Sequence, residues 1–170
     1  MNYLNYAFGY ESGYFDMILT REIDMKKYLR AKLIIAWLTC CVLYVLTIPY
    51  IFFGFDIFLA NTVTFIFNIG VTAYVMLYFA TLNKKRIDLT RGAAFNYQGV
   101  GLSNWLSILP VLLFPPLIYL PFGAFVGRHA GFAFIAVMGI IGILLYRYLF
   151  AAIYKKLSER KYIMADGFRQ

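Results

Sequence analysis

Apolar residues fall into four near-continuous stretches, 33–53, 57–82, 105–126 and 131–153, and polar residues gather between and around them. Crossing a hydrocarbon core of about 30 Å takes about 20 helical residues, so each stretch is long enough to span a bilayer. Backbone groups in lipid must be satisfied within the segment, and at this length helices do so where barrel strands do not. The pattern predicts an all-α fold, a polytopic transmembrane helical bundle of about four spans. A short link at Gly54-Phe55-Asp56 joins the first two spans into an antiparallel hairpin, and Gly127-Arg128-His129-Ala130 joins the last two. The chain thus divides into a polar N-terminal segment (1–32), a first transmembrane hairpin (33–82), a loop (83–104), a second hairpin (105–153) and a basic tail (154–170).

Charge gives this arrangement a direction. Of the 16 Lys and Arg residues, all but Arg128 and Arg147 lie in the N-terminal segment, the loop and the tail. Cationic segments resist translocation, so both termini and the middle loop are expected on the cytoplasmic side. The net charge of +8 follows from topology and from contact with anionic lipid, and it calls for no nucleic-acid partner. Asp56 and Arg128 then fall at the far interface. Arg147, inside the fourth span but toward its near end, is expected either to snorkel to the headgroups or to pair within the bundle. Residues 1–10 have neither the basic start nor the apolar core of a secretory signal.

With 62% hydrophobic and 14% charged residues, the chain has no large extramembrane portion to house an enzyme. Candidate catalytic chemistry is correspondingly thin. His129 is the single histidine and has no second histidine with which to build a metal site. Cys40 and Cys41 are neighbours in a predicted helix and point about 100° apart, unsuited to a mutual bridge or a metal pair. No phosphate-cradling loop, nucleophile–base pair or intramembrane carboxylate pair is present. We expect no enzyme, no metal and no cofactor.

Two features carry more. Pro110, Pro115, Pro116 and Pro121 crowd into the third span, and each removes a helical hydrogen bond and clashes with the preceding turn. A kinked or broken helix is expected, with a re-entrant portion near the far side as one form of the break. Its role is either packing or forming a gate or cavity wall. In the N-terminal segment, Tyr14, Phe15, Met17, Ile18 and Leu19 make a short apolar knob flanked by Glu11, Asp16, Arg21 and Glu22. Asp24 is placed to cap a basic helix beginning at Met25 that feeds the first span. Spacing alone leaves two roles for the knob: lying in the membrane interface, or docking in the groove of a soluble partner.

The stretch Glu11-Ser-Gly-Tyr-Phe-Asp-Met-Ile-Leu-Thr20, followed by Arg-Glu-Ile-Asp-Met-Lys-Lys-Tyr-Leu-Arg-Ala31-Lys32, resembles the coupling-helix region of ABC-2-type transporter permeases. In that family the pattern is Glu-x-Gly-Thr-φ-Glu-φ-φ-φ-Thr before a basic helix ending in Ala/Gly-Lys; Tyr14 and Asp16 here replace its Thr and second Glu. The loop Lys84-Lys-Arg-Ile-Asp-Leu-Thr-Arg-Gly-Ala-Ala-Phe-Asn-Tyr-Gln-Gly99 and the tail Arg160-Lys-Tyr-Ile-Met-Ala-Asp-Gly-Phe-Arg169 are similar to a long, poorly characterised bacterial permease family of this group. The resemblance implies the permease part of an ABC-type exporter in the bacterial inner membrane, working as a homo- or heterodimer. A separate ATP-binding-cassette subunit would dock on Glu11, Tyr14, Phe15, Asp16, Ile18 and Leu19. Replacing Phe15 and Ile18 with Asp is then expected to abolish docking and leave insertion intact. Family members carry further spans ahead of the coupling helix, so this chain is expected to correspond to a C-terminal part. The alternative is a standalone four-helix membrane scaffold or accessory subunit with no transport cycle.

Overall fold

The computed structural model of the chain describes residues 2–21, 23–87 and 102–169. Its elements are all helical, with no strand among the described residues. The stretch 88–101, which holds most of the predicted middle loop and of its family-like segment, lies outside them.

Two 3₁₀ turns, Asn2–Tyr6 and Gly9–Tyr14, lead into a six-residue helix, α1 (Phe15–Thr20). The Asp24 side chain then accepts from the backbone N–H groups of Lys26 and Lys27, at 2.9 and 3.4 Å, and starts α2 (Met25–Thr47). The predicted cap is therefore present, and the basic lead-in and the first apolar stretch form one continuous rod. Pro49 tightens its end into the 3₁₀ turn Ile48–Phe53. Gly54, at φ 141°, reverses the chain into α3 (Phe55–Phe67). A π-helical turn, Asn68–Thr72, links α3 to α4 (Ala73–Ala80).

The second hairpin pairs α5 (Leu102–Phe125) with α6 (Arg128–Leu144), reversing at Gly127 with φ 126°. A last helix, α7 (Tyr146–Arg169), leaves α6 at an angle of 65°. Among the described residues, three helical segments are long and apolar enough to cross a membrane, or four when α6 and α7 are taken as one bent span. The expectation of an all-α chain with apolar helices of membrane-crossing length is met.

Two details differ from the sequence expectation. The third apolar stretch is one unbroken helix despite Pro110, Pro115, Pro116 and Pro121, and the break falls in the fourth, at Leu145. A proline frees the carbonyl one turn before it, yet its fixed φ is itself helical, so a run of prolines need not end the helix. Arg147 consequently lies at the start of α7, beyond the bend, with its side chain exposed.

Packing explains which span is central. In the Phe55–Ala80 segment 50% of the most apolar window is buried, against none for α5. Gly139 and Gly142 of α6 meet Gly70 in the π turn backbone to backbone: a Cβ on Gly142 would stand 2.1 Å from the Gly70 carbonyl oxygen. Close approach of this kind is how helices associate in lipid, where apolar side chains gain nothing by leaving the tails. At the hairpin tips Arg128 Nη1 donates to Asp56 Oδ2 at 2.7 Å, so the two reversals share one end of the bundle. The larger core is at the other end, where Leu4, Phe8, Phe15, Leu29, Leu33, Leu77, Leu157 and Met164 are buried together.

Candidate functional site

That terminal end is where the candidate docking residues lie. Glu11, in the second 3₁₀ turn, places its carboxylate between two side chains of α2: the Tyr28 hydroxyl donates to one oxygen and Lys32 Nζ to the other. Tyr28 and Lys32 are one helical turn apart and so share a face, with the ammonium 5.3 Å from the Tyr28 ring centroid. Lys32 is buried, and its charge is neutralised on the spot. Ile87 N donates to Ser12 Oγ at 3.4 Å, and Gly9 abuts the Ile87 side chain so closely that a Cβ would approach to 2.9 Å. The N-terminal turns are thereby seated on both α2 and the start of the loop.

The next helix, α1, is fastened to α7. Phe15 is 0% exposed and meets Phe168 edge to face, with ring centroids 5.3 Å apart. Ile18 is 8% exposed and belongs to the same core. Above this apolar contact Arg169 grips Asp16 with both arms, Nε to Oδ2 at 2.8 Å and Nη2 to Oδ1 at 3.0 Å. The Arg169 hydrogen bond holds the Asp16 carboxyl below the usual carboxylate range, and Asp16 in turn raises the Arg169 guanidinium. Arg160 of α7 donates to the Thr81 carbonyl at 3.2 Å, which fixes α7 to the end of α4. A shallow cleft of about 300 Å³ remains between α1 and α7, bordered by Leu19, Thr20, Tyr162 and Asp166.

The six candidate docking residues therefore separate into two groups. Phe15 and Ile18 face inward, Glu11 is committed to Lys32 and Tyr28, and Leu19 packs partly against the core. Tyr14 is 50% exposed, with Met17 beside it at 46%, and Asp16 shows one edge to solvent. Phe15 and Ile18, the positions where Asp is expected to abolish docking and leave insertion intact, are buried here, so a carboxylate at either place would also disturb the seat of α1 on α7. Phe168, Arg169 and Tyr28 were missed as contributors. Their only sequence signal was membership in segments already singled out: Phe168 and Arg169 meet α1 across about 150 residues, and Tyr28 meets Glu11 across 17, and neither separation leaves a local pattern.

The four prolines occupy a peripheral helix. Pro110 and Pro115 are half-buried against neighbours, while Pro116 and Pro121 point outward. Cys40 is buried and Cys41 exposed, so the two diverge. Among the described residues no group of three His, Cys, Asp or Glu side chains is close enough to hold a metal ion.

Residues 1–170, the whole chain, match DUF5687, a family of unknown function, and the chain belongs to that family. No curated protein and no solved structure matches it.

Proposed function

We propose that this DUF5687 chain is the membrane-spanning permease part of an ABC-type exporter. Both termini would face the cytoplasm of a bacterial inner membrane, and ATP hydrolysis would belong to a separate ATP-binding-cassette subunit. One observation carries the reading: α1, the helix in the coupling-like stretch, is fastened to two different long helices. Glu11 ties its lead-in to Tyr28 and Lys32 of α2, and Phe15 and Asp16 tie it to Phe168 and Arg169 of α7. A subunit pressing on Tyr14 and Met17 would push against both at once. Transport needs two access states separated by a few kcal/mol, and nucleotide-driven closure would supply the bias between them. Pairing with a second permease chain belongs to the same proposal.

The test is cross-linking from the exposed edge. A photoreactive residue at Tyr14 should form an adduct with a protein carrying ATP-binding-cassette motifs, in membranes of the native host. Adducts with lipid alone would contradict the reading. They would support the second one, a standalone membrane scaffold or accessory subunit. What favours that alternative is that the apolar side of α1, Phe15 and Ile18, is already satisfied within the chain.

A further inference from the structure

At the terminal end of the bundle, residues 83–87 run between the second 3₁₀ turn and α7, and contacts from both sides fix their backbone. Asn83 is buried, and its Oδ1 accepts from Lys85 N at 3.1 Å. Gly167 of α7 abuts Lys84 so closely that a Cβ would stand 2.8 Å from the Lys84 carbonyl oxygen. On the other side Ser12 Oγ takes the N–H of Ile87. Arg86 sits between these anchors with its side chain exposed. Among the described residues its guanidinium has no hydrogen bond or ion pair. It borders a cavity of about 280 Å³, whose other walls include Gly13, Asp16, Phe168 and Arg169.

We infer that this cavity binds a phosphate monoester group, held by Arg86 from the start of the loop and Arg169 from α7. Donor counting supports the pairing. A guanidinium carries about five N–H donors, and Arg169 spends those on Nε and Nη2 that face Asp16. The rest of its fork stays open, on a side chain 66% exposed, and the whole Arg86 fork is unspent. Both forks are therefore reachable from solvent, and the Asp16 clamp fixes the plane of the second without filling the cavity. Charge sets the ligand class. Arg169 neutralises Asp16, the one carboxylate among the described wall residues, so Arg86 leaves an excess positive charge there. Lys84 and Lys85 beside it, both exposed, extend that field. The three terminal oxygens of a phosphate monoester can serve two forks at once, whereas a single fork occupies both oxygens of a carboxylate. Room is available as well, since a Cβ on Gly13 would meet nothing within 4 Å. The site needs no ATP-binding partner.

The experiment titrates the full chain, in dodecyl maltoside micelles, with inorganic phosphate at about pH 8 and constant ionic strength, and reads binding by calorimetry. Saturable binding in the millimolar range is expected. Arg86→Gln alters an exposed side chain with no internal bond, so the fold is retained, and affinity should fall at least about tenfold. Arg86→Lys keeps the charge without the fork and should fall between the two. Arg147→Gln removes one exposed positive charge about 33 Å along α7 from Arg169 and should bind as the wild type does. The same titration in nanodiscs separates the two sources of the group. Competition by phosphatidic acid, beyond that of phosphatidylglycerol at equal surface charge, assigns the site to a lipid headgroup; without that competition it takes a soluble phosphate ester. Equal losses in Arg86→Gln and Arg147→Gln, or no saturable binding by the wild type, overturn the inference.

Discussion

Glu11 and Lys32, the first and last residues of the coupling-like stretch, form an ion pair with each other. The pair closes that stretch into a loop seated on α2, and the Tyr28 hydroxyl shares the carboxylate. Lys32 is buried, so removing its partner leaves a charge without compensation. Glu11→Gln should destabilise the chain by about 3–5 kcal/mol, and the Glu11→Gln/Lys32→Met double variant should recover most of that loss. Unfolding followed in detergent micelles reads both; additive losses would mean that the pair is incidental.

The Asp16–Arg169 pair predicts a pH response with a definite sign. Arg169 depresses the Asp16 carboxyl, so what the pair contributes is present above the ordinary carboxylate range and is lost as pH falls through the lowered value. Hydrogen exchange at the α1 amides, corrected for its intrinsic pH dependence, should be flat from about pH 5 to about pH 9 and should rise only below about pH 4. Asp16→Asn should remove the acid step. A transition near neutrality would point to a different group.

Helix contact at the three glycines should tolerate no side chain. A Cβ on Gly142 would fall 2.1 Å from a carbonyl oxygen of the facing backbone, which cannot yield as a flexible side chain would. Gly142→Ala should cost about 1–3 kcal/mol or more through overpacking. Gly13→Ala meets nothing within 4 Å and should be neutral. Thermal unfolding of the two variants side by side checks this, and equal stability would contradict the close crossing of α6 with the π turn.

Much of this architecture was legible in the chain. Apolar stretches long enough for spans and Asp24 as a cap act locally, through transfer energy and backbone conformation, and both appear where expected; Gly54 and Gly127 carry the positive φ in the short links. The proline-rich stretch is not broken, because the φ that proline fixes is itself helical and each proline removes a hydrogen bond without ending the helix. The bend at Leu145 has no breaker residue to announce it. In the candidate site the error was one of facing. An apolar knob beside a membrane suggests docking, but Phe15 and Ile18 are apolar because Phe168 and its neighbours cover them. Only the arrival of α7, far along the chain, determines which side of a six-residue helix is left outward.

That division makes the central claim testable without unfolding the protein. Phe15→Ala should cost about 3–5 kcal/mol and release α1, so it cannot report on docking. Tyr14→Asp with Met17→Asp changes exposed positions and should leave stability within about 0.5 kcal/mol.

The most direct measurement is quantitative recovery of an ATP-binding-cassette subunit with the wild-type chain and with the Tyr14→Asp/Met17→Asp variant, purified from native membranes at matched stability. The coupling account predicts stoichiometric recovery with the wild type and its loss with the variant. Equal recovery with both, or no such subunit with the wild type, would contradict it.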